Sequence, residues 1–255
     1  MKVGLIGAGN MARAMARGWG DPVLASDSGS GRAAALAAEL GGTAASSLEV
    51  AQQADLVVLC HKPYQLRAVA EELTGQVKAV ASVLAATPIG TLQDHFPGVP
   101  VFRLMTNTPV EVRRGIICYS PAPDVDPALE REVVAQFERL GWVATIEERL
   151  MDAATSVMGV GPAYLALVAE AQVDAAVRHG LKPDLAGALA AETMAGTAEL
   201  LKRRGHDTLT VRREVTSPGG STARGLDALE RGGLRAAFSE ATDRVTQGPV
   251  PAGGR

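Results

Sequence analysis

The sequence predicts an α/β protein in two parts, an N-terminal doubly wound sheet over residues 1–147 and an all-helical domain over 148–246. Two patterns carry this expectation. Before Glu147, short β-type runs alternate with helical periodicity, the signature of a parallel sheet covered by helices. After it the β-branched runs stop, and Ala, Leu and Glu at helical spacing take over. A chain of 255 residues is also long enough for two modest domains, each with a core.

Val3–Ile6 reads as the first strand, residues 11–19 as a helix and 23–26 as the second strand. Residues 32–40 are helical up to Gly41-Gly42, and Ser46 with Glu49 three positions on forms a capping box for a short helix. The runs at 55–60, 80–84 and 100–104 are apolar and bounded by turn residues, as buried parallel strands should be. Residues 116–119, a helix over 127–140 and a run at 142–146 complete this half, with room for an antiparallel edge. In the second half Pro162 opens a helix reaching His179, stopped by Gly180, and Pro183 opens another reaching Arg203. Both are Ala-rich. A domain of roughly 100 residues built this way leaves a broad apolar face uncovered, which predicts a homo-oligomer, a dimer or larger. Residues 247–255 (QGPVPAGGR) have turn residues without periodicity and read as a disordered tail.

A net charge of −3 with no basic block argues against nucleic acid as a partner, since neutralising phosphates takes clustered Lys and Arg. No run of 18 uninterrupted apolar residues points to a membrane span, and the apolar run near the N-terminus is too short for a signal peptide. A cytoplasmic protein is expected. Cys60 and Cys118 lack CxxC spacing and the four histidines form no HxxxH pair, so neither a disulfide framework nor a zinc site is predicted.

Gly7-Ala8-Gly9-Asn10-Met11-Ala12 follows a predicted strand and opens a helix, the context that a Rossmann-like dinucleotide fingerprint requires. Gly7 permits the tight turn. Gly9 lets the backbone approach a pyrophosphate, whose charge the helix N-terminus stabilises. Asp27 lies where a carboxylate would bond a ribose 2′-OH, which favours NADH; Ser26, Ser28, Ser30 and Arg32 crowd the same turn and could hold a 2′-phosphate, which favours NADPH. Both cofactors stay open. His61-Lys62-Pro63 and Thr106-Asn107-Thr108-Pro109 each follow a strand's C-terminal end, the ligand-binding edge of such sheets, so Lys62, Pro63 and Asn107 join the candidate cofactor site. Finally, Val215-Thr216-Ser217-Pro218-Gly219-Gly220-Ser221-Thr222 precedes a helical pattern and offers glycines and hydroxyls at a helix start, a ready carboxylate site.

Taken together, IGAGNMA at 6–12, DLVVLCHKP at 55–63, MTNTP at 105–109, residues 159–181 and VTSPGGSTARGLDALE at 215–230 make the chain resemble the pyrroline-5-carboxylate reductases over nearly its whole length. The resemblance implies reduction of 1-pyrroline-5-carboxylate, a small-molecule substrate, to proline by hydride from NADPH or NADH, in a homodimer at least. It implies that the substrate carboxylate sits on Ser217, Gly219, Gly220 and Ser221 and that the Thr222 hydroxyl bonds the ring nitrogen. The chain departs from the family's usual pattern at Met158 and Val160, where two hydroxyls are replaced. It departs also at Ala86 for glycine, at His61 for an aliphatic residue and at Asp207 for proline. Two other functions remain in view. A hydroxy-acid dehydrogenase would want a Lys acid/base beyond the cofactor domain, where Lys182 and Lys202 are the lysines present. A non-catalytic NAD(P)-binding protein would keep the fold alone.

Overall fold

The computed structural model describes residues 1–247; the proposed tail lies almost wholly outside them. Eight strands form one sheet: β1 (Val3–Ile6), β2 (Leu24–Ser26), β3 (Thr43–Ala44), β4 (Leu56–Leu59), β5 (Val80–Ser82), β6 (Val101–Thr106), β7 (Gly115–Ser120) and β8 (Gly141–Thr145). Their order is β3-β2-β1-β4-β5-β6-β7-β8. All neighbours are parallel except β6 and β7, so the last two strands form an antiparallel edge. On β1, Ile6 stands opposite Ser26 of β2 and opposite Leu59 of β4, so three strands end level at the point where the strand order reverses. That reversal opens a crevice at the carboxyl ends of the strands.

The helices of this half are α1 (Asn10–Trp19), α2 (Arg32–Leu40), α3 (Ser47–Gln53), α4 (Leu66–Leu73), α5 (Ile89–His95) and α6 (Pro127–Glu138). Local chemistry sets their ends. Ser46 Oγ accepts from the Glu49 N–H while the Glu49 carboxylate accepts from the Ser46 N–H, which is the expected capping box. Asp126 caps α6 by accepting from Ala128 and Leu129, with Pro127 in the first position. Adjacent residues on β1 face opposite layers: Leu5 packs with Met15, Leu36, Phe102 and Phe137, and Ile6 with Val50, Leu59, Leu66 and Leu73.

The chain forms two compact units, and the first continues through Pro162 rather than ending at residue 147. Three contacts hold residues 148–162 on the sheet. Glu148 pairs with the buried Arg103 of β6 at 2.7 Å and also accepts from the Ile89 N–H at 2.6 Å. Met151 and Met158 pack with Met105 and Cys118. Asn107 bonds the Met158 carbonyl. The segment runs through α7 (Met151–Ala154) into a π-helical turn, Thr155–Gly159.

The second unit, Ala163–Gln247, is helical throughout: most of α8 (Gly161–Arg178), then α9 (Pro183–Arg203), α10 (Thr208–Glu214), α11 (Ser221–Arg231) and α12 (Leu234–Thr246). Asp207 caps α10 by accepting from the N–H groups of Leu209 and Thr210, a service a proline at that position could not perform. Among its described residues only Ala186, Ala190 and Val211 are buried, while Leu165, Leu167, Leu185 and Leu189 are each at least half exposed. Residues 148–178 together have the length and mean hydropathy to cross a bilayer. Their apolarity is that of helices presenting an unpartnered face.

Candidate active site

At the strand-order reversal the structure gathers Gly7, Gly9, Ser26, Asp27 and Lys62 on one cleft of about 570 Å³, together with Ser28, Ser30, Arg32, His61 and Tyr64. Gly7 holds φ +102°, and a Cβ there would press on the Cys60–His61 peptide at 2.9 Å, so the turn between β1 and α1 demands glycine. Gly9 differs. A Cβ on it would meet no atom within 4 Å, and no side chain caps α1, so the first-turn N–H groups at Asn10 and Met11 are free for an anion. A dinucleotide fits these residues. The cleft also contains a buried polar atom without a protein partner: His61 Nδ1 lies 2.9 Å from the Lys62 carbonyl, and Nε2 is unbonded among the described residues. Because a carbonyl only accepts, Nδ1 carries the hydrogen and Nε2 presents a lone pair; burial lowers the ring's pKa and keeps it neutral.

Asp27 is engaged differently from the expectation of a free ribose acceptor. Its Oδ1 accepts from the N–H groups of Gly29 and Ser30, and its Oδ2 from the Ala33 N–H and the Ser30 hydroxyl, at 2.7–3.1 Å. Four donors saturate the carboxylate, and these bonds, led by that from Ala33, hold its pKa below the usual range. Asp27 therefore shapes the β2–α2 loop around Ser28, Ser30 and Arg32. The Arg32 guanidinium, exposed on the first turn of α2, has no partner among the described residues. Ser26 is buried and its hydroxyl lies 3.2 Å from that of Ser47, tying β2 to α3.

Asn107 stands apart from this cleft. Its side chain is buried and spent internally, donating to the Met158 carbonyl and accepting from the Ile116 N–H. Pro63 starts a 3₁₀ turn, Pro63–Gln65, whose Gln65 side chain accepts from the Lys62 N–H. Lys62 itself is exposed.

The predicted carboxylate loop lies in the helical unit. Gly219 adopts φ +69°, and a Cβ on Gly220 would run into Ser217 Oγ, so both glycines shape the turn. Gly220 caps α11 without a side-chain bond. The N-terminal N–H groups of α11 and the hydroxyls of Ser217, Ser221 and Thr222 have no partner among the described residues. Thr216 is spent, donating to the Arg212 carbonyl at 2.6 Å. One cation escaped the motif reading. Arg224, one turn into α11, reaches back to donate to the Gly219 carbonyl at 2.8 Å, placing positive charge beside the loop. The signal was its offset from Thr222 along the helix start. Glu170 and Asp174 on α8 are exposed.

The chain has relatives among known proteins. A pyrroline-5-carboxylate reductase from Synechocystis sp. is 38% identical over 195 residues, covering 76% of this chain and 73% of the relative. The chain belongs to the pyrroline-5-carboxylate reductase family. A second member, from Methanosarcina acetivorans, is 31% identical and covers 96% of each chain. Two family models divide the sequence between them. Pyrroline-5-carboxylate reductase dimerisation matches residues 148–248, and NADP oxidoreductase coenzyme F420-dependent matches residues 2–86. Among solved structures, the Plasmodium falciparum pyrroline carboxylate reductase with NADP bound superposes with a TM-score of 0.88 at 26% identity, covering 97% of this chain and 96% of that one. Met158 and Ala86 each have a structural account here. Met158 is 8% exposed and packs in the sulfur-rich cluster with Met105 and Met151, so the side chain serves core packing. Ala86 carries the left-handed conformation, φ 51°, that glycine would adopt freely.

Proposed function

We propose that the protein reduces 1-pyrroline-5-carboxylate to proline, as a homo-oligomer, with NADPH as the preferred hydride donor. The observation that supports this most is the loop Ser217–Gly220 with Thr222. It combines an uncapped helix start, free hydroxyls and the nearby Arg224, which is what an α-carboxylate on a small ring requires. Family membership narrows the ring to a pyrroline.

The bound cofactor supplies hydride to the C=N carbon. The chain's residues supply binding and orientation. The α1 N-terminus and Gly9 receive the pyrophosphate, and the β2–α2 loop, its carboxylate saturated by three backbone N–H groups and the Ser30 hydroxyl, leaves Arg32 and Ser28 for a 2′-phosphate. Thr222 orients the ring by accepting from the N–H of the protonated imine, which becomes the neutral amine N–H in place once the C=N carbon takes up hydride. No strong acid or base is needed, since the substrate arrives carrying its proton. The dehydrogenase alternative has less support: Lys202 is paired with Glu199 on the surface at 3.0 Å, and Lys182 merely precedes α9.

The exposed leucines of α8 and α9 and the match to a dimerisation model support the oligomer. The compartment on this reading is the cytoplasm, which suits two free thiols at Cys60 and Cys118. The test follows nicotinamide absorbance with the imine present and absent, using NADPH and NADH in turn. Imine-dependent oxidation with lower KM for NADPH is expected. No oxidation with either cofactor would overturn the proposal, and equal use of both would overturn its cofactor preference.

A further inference from the structure

We infer that Tyr64 stacks on the adenine ring of the bound cofactor, making it the aromatic wall of the adenosine half of the site. The inference rests on the cleft taking an adenine dinucleotide, and concerns a residue that neither the glycine motif nor the phosphate-binding loop includes.

Tyr64 is the most exposed large apolar side chain among the described residues, at 84%. A tyrosine left almost wholly in water forgoes the stabilisation that burial of a large ring would bring. The fold does not use it: it contacts no aromatic neighbour and its hydroxyl has no bonded partner among the described residues. Yet it lines the same cleft as Gly9, Ser30 and Arg32.

Its place in the topology says which part of a ligand it meets. With the pyrophosphate at the start of α1, the strand order puts one half of a dinucleotide toward β2 and the other toward β5. The β2 side carries Ser28 and Arg32, which suit a ribose 2′-phosphate, so the base on that ribose is the adenine. The same cleft is lined by Tyr64, Gln65, Ala68 and Val69, from the 3₁₀ turn and α4. Ala68 and Val69 offer aliphatic surface, and Tyr64 offers the only phenyl-type ring lining the cleft among the described residues. A purine between these walls finds a π-face to stack on and exchanges an exposed ring for a covered one. The 3₁₀ turn is braced by the bond from the Lys62 N–H to the Gln65 side chain, so the ring is presented from an ordered backbone.

The test compares Tyr64→Ala, Tyr64→Phe and the parent by calorimetric binding of three probes: NADPH, 2′,5′-ADP, and reduced nicotinamide mononucleotide, which lacks the adenosine. Because Tyr64 is exposed, Tyr64→Ala should fold as the parent does, and unchanged thermal unfolding checks this. Tyr64→Ala is expected to raise Kd about 5- to 20-fold for NADPH and 2′,5′-ADP alike, leave the mononucleotide unchanged, and be rescued by Tyr64→Phe. Unaltered NADPH affinity in Tyr64→Ala, or equal weakening of the mononucleotide, would overturn the assignment. Loss of the imine reaction in the parent would instead overturn the proposed activity, and the 2′,5′-ADP measurements would still decide the role of Tyr64.

Discussion

The Asn107 side chain donates from Nδ2 to the carbonyl of Met158 at 3.0 Å, joining the end of β6 to the π-helical turn fifty-one residues further along the chain. The same amide accepts from the Ile116 N–H at 2.9 Å. A π-turn leaves a backbone carbonyl short of its usual partner, and a buried one needs a replacement. Asn107→Ala strands both backbone groups and should destabilise the protein by about 2–6 kcal/mol, taking 1–3 kcal/mol for each group left unsatisfied. Denaturant unfolding checks this; an unchanged midpoint would remove the clamp from the account.

Asp27 ties stability to pH. Its folded pKa is depressed, chiefly by the backbone N–H of Ala33, so its contribution is complete above the unfolded value of ~3.9 and is lost as pH falls through the folded one. Asp27→Asn places an amide group against N–H donors. The stability gap between parent and Asp27→Asn should be constant above about pH 5 and narrow in stronger acid. Unfolding midpoints across that range measure it, and a gap independent of pH would contradict the saturated carboxylate.

Arg32→Ala should raise Kd for NADPH roughly 10-fold, about 1.4 kcal/mol, and leave NADH unaffected. Titration with both cofactors decides; parallel weakening would place Arg32 elsewhere on the ligand.

Thr222→Ala retains the backbone of α11 and removes one hydroxyl. The expected loss is about 10- to 150-fold in kcat/KM for the imine, with cofactor affinity unchanged. Steady-state kinetics with 1-pyrroline as a second substrate separates the carboxylate from the ring. A variant as active as the parent would take Thr222 out of the reaction.

Ala86 sits exposed with φ 51°, a conformation costing an alanine about 1–2 kcal/mol. Glycine pays roughly 0.5–1 kcal/mol in backbone freedom, so Ala86→Gly should stabilise by about 0.5–1 kcal/mol and raise Tm by roughly 1–4 °C. A lower Tm would mean that the turn uses the methyl group.

The parallel strands were legible because β1 and β4 are apolar runs bounded by turn residues, and the glycine turn followed directly from β1. Short helices such as α5 and α10 carry too few turns for periodicity, and β3 is two exposed residues at the sheet edge. Asp27 shows why site residues are harder. Spacing from Gly9 suggested a ribose acceptor, but Asp-Ser-Gly-Ser-Gly is equally a pattern in which a carboxylate gathers the N–H groups of its own turn, and only coordinates show that all four bonds form. Asn107 repeats the lesson, since its partners lie at 116 and 158. The extent of the first unit was hidden for the same reason: residues 148–162 read as helix but are fastened to β6 by Arg103 and Asn107.

The helical unit buries only two alanines and a valine among its described residues. Such an interior is too small to offset the conformational entropy of ordering some eighty-five residues at roughly 1–2 kcal/mol each. In the proposed homo-oligomer this third of the chain gains stability from a second copy, which makes its folding bimolecular. Its melting point becomes a function of protein concentration, and exchange of subunits between assemblies proceeds no faster than the local unfolding that frees them.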